Sequence, residues 1–115
     1  MKKYLLLLQD DIKTMQRLSP KEMETLVGEH MAWTKKMAAS GYLISGDGLE
    51  ETSIHITGKE CIVKDGPYVE AKEMIGGYYL LQAEDIDTVT ALAKDCPCHL
   101  WGGTTVIRPI MDYEQ

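Results

Sequence analysis

The chain has no phenylalanine, only two tryptophans, four prolines and three cysteines among its 115 residues. Three cysteines (Cys61, Cys96, Cys98) cannot all pair, and a chain of this length can bury a core without staples, so a disulfide framework is excluded and reduced thiols in a cytoplasm are expected. Long apolar runs are missing too. The longest, Leu5-Leu6-Leu7-Leu8, falls far short of the roughly 20 residues a membrane span needs, and Gln9, Asp10 and Asp11 follow it at once, which argues against a secretory leader. Basic residues are outnumbered, 12 Lys and Arg against 18 Asp and Glu, for a formal charge of −6. No basic footprint is left for nucleic acid or an anionic membrane, and no basic-aromatic interleaving of the kind that binds single strands. What remains is ordinary globular material, 44% hydrophobic and 26% charged. Without internal repeats, low-complexity tracts or linkers, residues 1–115 are expected to form one domain.

Residues 4–8 form a continuous apolar run suited to a strand buried on both faces, ended by Gln9, Asp10 and Asp11. Ser19-Pro20-Lys21-Glu22 is a complete helix start: a capping serine, a proline where a missing N–H costs nothing, and a glutamate able to close a capping box. Met23, Leu26, Val27, His30, Met31, Thr34, Met37 and Ala38 then recur at spacings of three and four, which predicts one buried stripe on a helix of about six turns. Gly41 supplies its left-handed stop.

A short strand over 42–44 is expected to break up in Gly46-Asp47-Gly48. Residues 53–57 and 60–64 then read as a hairpin about a type II′ turn at Gly58-Lys59, with Ile56 opposite Cys61, Ile54 opposite Val63 and His55 opposite Ile62. Asp65-Gly66-Pro67 is a second turn. A strand opens on Gly76-Gly77 and runs to Ala83. Asp85 caps a second helix with the stripe Ile86, Val89, Leu92, Ala93 and Cys96, stopped by Pro97, and a last strand covers 104–110. Two helices segregated from antiparallel strands predict an α+β sandwich of ferredoxin-like arrangement with both helices on one sheet face. The other face, left bare and apolar, predicts a homodimer packed sheet to sheet.

His30 is the sharpest candidate for chemistry. It lies on the buried stripe of the first helix, three and four positions after Val27 and Leu26, so its imidazole points toward the sheet. Histidine can take and return a proton near neutrality; the same position also suits a core histidine satisfied by a backbone carbonyl. A carboxylate beside it would hold its tautomer and stabilise its protonated form. Asp65 is the first choice for that partner and Asp47 the rival, although Asp65 in Asp65-Gly66-Pro67 also suits a plain turn former. Glu70, Lys72 and Glu73 follow within the same stretch, where a solvated edge is the simpler reading of the two glutamates. Cys96-Pro97-Cys98-His99 is too tightly spaced for a zinc loop and has no second ligand pair, so no metal is expected. The stripe places Cys96 in the core and leaves Cys98 and His99 in a loop. Gly76-Gly77 and Gly102-Gly103 lack the lysine and spacing of phosphate loops and mark close packing at strand starts.

Asp65-Gly66-Pro67-Tyr68-Val69-Glu70-Ala71-Lys72-Glu73, followed by Ile75-Gly76-Gly77-Tyr78-Tyr79-Leu80, resembles the YCII-related proteins, and most of all their branch with a D-G-P-F signature. The resemblance extends to Glu29-His30, Gly46-Asp47-Gly48-Leu49, Cys96-Pro97 and Val106-Ile107-Arg108-Pro109-Ile110, and covers nearly the whole chain. Tyr68 departs from the branch's phenylalanine and adds a hydroxyl that needs a partner or water. The segment between Gly48 and Ser53 is shorter than in many relatives. The resemblance implies a dimeric α+β barrel of two ferredoxin-like subunits and a His-Asp site, with His30 matching the proposed catalytic histidine. A few relatives look like lyases or dehydrohalogenases acting on small ring compounds. Others are similar to proteins found alongside extracytoplasmic-function sigma factors.

Two readings follow. In the first the chain is a small-molecule enzyme of lyase or isomerase type without a cofactor. His30 and Asp65 are catalytic there, and Tyr68, Lys72, Asp47 and Arg108 form the substrate site, Lys72 or Arg108 holding an anionic group. In the second it is a non-catalytic dimeric module that takes a ligand or a partner such as a sigma factor.

Overall fold

The computed structural model describes residues 1–65 and 74–113. Strand β1 (Lys2–Asp10) leads through a short helix α1 (Ile12–Arg17) to the long helix α2 (Pro20–Ala39) and strand β2 (Leu43–Gly48). The strands β3 (Ile54–Thr57) and β4 (Ile62–Asp65) come next, then strand β5 (Met74–Ala83), helix α3 (Ile86–Ala93), a 3₁₀ turn (Pro97–Trp101) and strand β6 (Thr104–Pro109). Four strands make one antiparallel sheet in the order β2-β5-β1-β6, while β3 and β4 pair only with each other. With the hairpin set aside, this is the order and direction of a ferredoxin-like unit. The chain is therefore an α+β protein with a β-hairpin inserted between the second and third strands of its main sheet.

Strand β1 departs from the expectation of burial on both faces. Tyr4, Leu6 and Leu8 are buried, whereas Leu5 and Leu7 are only half-buried. A sheet covered by helices on one face produces this alternation. The buried face packs with Trp33 and Met37 of α2, Val89 and Ala93 of α3, Tyr79, Leu81 and Ala83 of β5, and both Cys96 and Cys98. The opposite face carries Leu5 beside Leu80 and Leu7 beside Val106, with no helix over it among the described residues.

Helix α2 begins as its sequence requires. The Ser19 hydroxyl accepts from the Glu22 N–H at 3.1 Å, and the Glu22 carboxylate accepts from the Ser19 N–H at 3.0 Å. Its buried side differs in phase from the predicted stripe. Leu26, Trp33 and Met37 are buried, with Trp33 at 6% exposure, while Met23, Val27 and Met31 stand 40%, 49% and 68% exposed. Spacing alone omits Trp33, whose large ring fills the layer between helix and sheet. Val27 and Met31 instead face a cleft along the helix edge.

Other elements shift for local reasons. Strand β2 runs on through Gly46-Asp47-Gly48, where the sequence predicts a break, because these residues pair with Tyr79, Tyr78 and Gly77 of β5. The hairpin turn spans four residues rather than two, with Gly58 and Cys61 both at positive φ, so Ile56 opposes Val63 and Thr57 opposes Ile62. A slip of two residues preserves which side chains share a face, which is why the apolar pattern alone could not set it. Helix α1, capped by the Asp11 carboxylate on the N–H groups of Lys13 and Thr14, carries no buried residue and so leaves no apolar stripe to read. Cys98, placed in a loop by its spacing, is buried in the 3₁₀ turn. Burial pushes its thiol up to about 12, so it is an inert core group at neutral pH. Among the described residues no helix is long and apolar enough to cross a membrane.

The corrected phase of α2 has a measurable consequence. Trp33→Ala is expected to destabilise by about 3–5 kcal/mol in urea unfolding, and Met31→Ala to stay within about 0.5 kcal/mol of wild type. Equal costs at the two positions would contradict the observed burial.

Candidate functional site

The cleft beside α2 is bounded by Leu8 and Asp10 of β1, by residues 26–38 of the helix, and by the ends of β2 and β5 at residues 46–48 and 76–79. Its volume is about 660 Å³, enough for a small molecule. Two glycines give it room. A Cβ at Gly46 would run into the Tyr79 ring and lie 2.9 Å from the Tyr78 carbonyl oxygen; one at Gly76 would collide with the Asp10 carboxylate. Gly76 is the extra residue of a β-bulge: Leu8 pairs with Gly77, but the next residue, Gln9, pairs with Ile75.

His30 lines this cleft, half-buried. Its Nδ1 is 3.0 Å from the Tyr79 hydroxyl, which also accepts from the Thr34 hydroxyl at 3.3 Å. With Thr34 donating to the phenol oxygen, the phenol's own proton is free to go to Nδ1, and with the roles assigned that way the imidazole carries its hydrogen on Nε2. Burial holds the His30 ring below the ordinary histidine value of 6.5, with the Glu29 carboxylate pulling weakly the other way. Burial likewise raises the Tyr79 phenol above its ordinary value, so at neutral pH both groups are uncharged. Tyr79 is itself fixed by an edge-on contact with Trp33, centroids 5.0 Å apart and planes 65° apart. The turn of α2 that carries His30 is tied to the 3₁₀ turn, where Trp101 Nε1 donates to Glu29 Oε1 at 3.2 Å.

The other candidates from the sequence fall in different places. Asp47 borders the cleft, but its carboxylate accepts from the Tyr78 hydroxyl at 3.2 Å. Tyr78 pairs with Leu7 on the helix-free face, so that carboxylate is turned away from His30. Asp65 is exposed on β4 opposite Ile54, outside the cleft lining. Arg108 is exposed on β6 opposite Leu5, on the helix-free face. Tyr68 and Lys72 lie outside the described residues. Neither carboxylate weighed from the sequence is thus brought to His30, whose partner is a neutral phenol. Among the described residues no three His, Cys, Asp or Glu side chains assemble as a metal-ligand set.

The acid that does enter the cleft is Asp10. Read only as the polar end of a strand, it continues the alternation Tyr4, Leu6, Leu8 onto the helix-covered face. That period of two was the available signal. Burial raises its carboxyl above the ordinary value of 3.8.

Comparison with known proteins adds a family. A model of the YCII-related domain matches residues 2–114. An uncharacterized protein of Rhizobium meliloti (strain 1021) is 28% identical over 116 residues, 96% of this chain and 94% of that protein. Among solved structures, the chain is similar to 5-chloro-2-hydroxyhydroquinone dehydrochlorinase from Burkholderia phenoliruptrix, in complex with 2,5-dihydroxybenzoquinone. The identity there is 16% and the TM-score 0.49, over 92% of this chain and 90% of that one.

The depressed His30 value fixes a pH dependence. A histidine whose folded value lies below its unfolded value contributes fully above about 6.5 and loses that contribution as pH falls through the folded value. The stability advantage of wild type over His30→Asn is expected to shrink between about pH 8 and about pH 5 in urea unfolding. An advantage that grows on acidification would mean a stabilised imidazolium instead.

Proposed function

The chain belongs to the YCII-related family, and from that premise we propose that it is an enzyme moving protons on a small molecule, of lyase or isomerase type, with His30 as the acid-base group in contact with the ligand. One observation carries this reading. In the cleft a neutral imidazole has one nitrogen held by a buried phenol, and its other nitrogen has no protein partner among the described residues. A core histidine would bond a backbone carbonyl and border no space. The chemistry proposed needs only side chains of the chain, without a redox cofactor. The motif at Asp65-Gly66-Pro67-Tyr68 supports a place in the D-G-P-F branch. Three free thiols suit a reducing, cytoplasmic setting.

A second reading, a ligand-binding or sigma-factor-associated module without turnover, is favoured by the neutral partner of Nδ1: no carboxylate among the described residues hydrogen-bonds the ring, and Glu29 acts on it only through its charge. NMR of the imidazole nitrogens separates the two. The His30 ring is expected to titrate below about 6.5 and to shift on addition of small ring ketones or phenols, and His30→Asn to lose those ligand responses elsewhere in the cleft. A ring that neither titrates between about pH 5 and 8 nor responds to any of these compounds removes the enzyme reading.

We also propose that a second copy covers the helix-free face, completing a dimeric α+β barrel. Leu5, Leu7, Leu80 and Val106 share that face, and an apolar sheet face of this kind is normally covered. Sedimentation velocity at micromolar concentration is expected to give a dimer, and Leu7→Lys a monomer that keeps the His30 ligand response; a wild-type monomer would overturn the proposal.

A further inference from the structure

Resting on the reading of the cleft as a proton-transfer site, but moving the proton-accepting role from His30 to the carboxylate, we propose that Asp10 is the catalytic base and that the cleft takes a small enolisable carbonyl compound, whose carbonyl oxygen the His30 Nε2–H engages as a hydrogen-bond donor. Three observations lead there. The alternation of β1 carries Asp10 onto the same face as Leu8, at the wall of the cleft. The bulge at Gly76 leaves out a side chain where the carboxylate lies, so the backbone of β5 is shaped around this acid. No hydrogen-bond donor among the described residues reaches the carboxylate, which stands half-buried in a cleft whose wall includes the apolar Leu8, Leu26 and Val27. An acid serving only to end a strand would be left in water or capped. Its raised value agrees with a carboxylate kept short of solvation and correspondingly basic.

The pair defines the ligand. Asp10 is an acceptor, and the neutral His30 offers a single N–H because Tyr79 occupies the other nitrogen. The complement, in a cleft that Thr34, Lys35 and Asp47 also line, is a C–H made acidic by an adjacent carbonyl. Asp10 takes that proton and becomes a carboxylic acid. The C–H electron pair forms the C=C of an enolate, and the negative charge moves to the carbonyl oxygen, where the Nε2–H hydrogen bond stabilises it. Asp10 then returns the proton to the same carbon, giving exchange, or to a conjugated one, giving isomerisation. If a leaving group stands beside the enolate, its departure with the electron pair gives elimination.

The test uses cyclohexanone and levulinate as probes, with α-proton exchange into D₂O followed by proton NMR. Wild type is expected to accelerate exchange of at least one probe over buffer. Asp10→Asn, an isosteric change, is expected to lower that acceleration by about 10²-fold or more while still binding the probe by saturation transfer. The variant is also expected to melt higher than wild type at neutral pH. A carboxyl raised in the folded state stabilises only below its ordinary value, and that contribution is lost as pH rises, so removing the charge relieves a cost. Full exchange in Asp10→Asn with loss in His30→Asn would overturn the assignment of Asp10 and leave the proton-transfer reading intact. No exchange of either probe by wild type would overturn the substrate class, while the His30 titration decides the broader reading by itself.

Discussion

The Tyr79 side chain joins the core to the cleft, and the rest of the site depends on it. Its ring belongs to the buried layer, edge-on to Trp33, while its hydroxyl reaches the cleft wall between Thr34 and His30. A buried phenol must find partners for its O–H. Here they are the His30 imidazole nitrogen and the Thr34 hydroxyl, four positions apart and so neighbours on one face of α2. The polar requirement of one core residue thus holds Nδ1 of the imidazole that faces the cleft, and the packing of Trp33 fixes the phenol in turn.

The cleft exists because the backbone of β2 and β5 is bare where the sheet would otherwise be filled. Gly46 lets the Tyr79 ring lie against β2, and Gly76 leaves the space that Asp10 enters. Regular pairing without the bulge would have put a side chain between β1 and the cleft. The arrangement holds a half-solvated carboxylate on the sheet and a neutral imidazole on the helix in one cleft, both displaced from their ordinary values by burial and in opposite directions. Each displacement costs stability in the charged form, a common mark of groups kept for chemistry rather than for the fold.

The apolar surface left outside the core has a different origin. One layer of helices can cover one face of a sheet, and the molecule measures only 18 Å in its thinnest dimension. The hairpin adds Ile54, Ile56, Ile62 and Val63, all exposed on two strands that pair with nothing else among the described residues. An isolated two-stranded ribbon is marginally stable in water. Both features suit the proposed dimer, in which surface that one copy leaves open is closed by another.

Local chemistry wrote the elements into the sequence. The capping box at Ser19, the stop at Gly41, the cap at Asp85 and the α+β order could all be read because each depends on residues a few positions apart. His30 was legible for the same reason: helical spacing turned it toward the sheet. Three things were decided only when distant segments met. The phase of α2 turned on Trp33 finding the sheet, the hairpin register on a four-residue turn that kept the same faces together, and the partner of His30 on a tyrosine 49 residues away. Asp10 stood between these cases, since its face was set by a period of two but its burial by a bulge in another strand. Spacing along the chain determines which side of an element a residue takes; only the packing of elements decides what waits there.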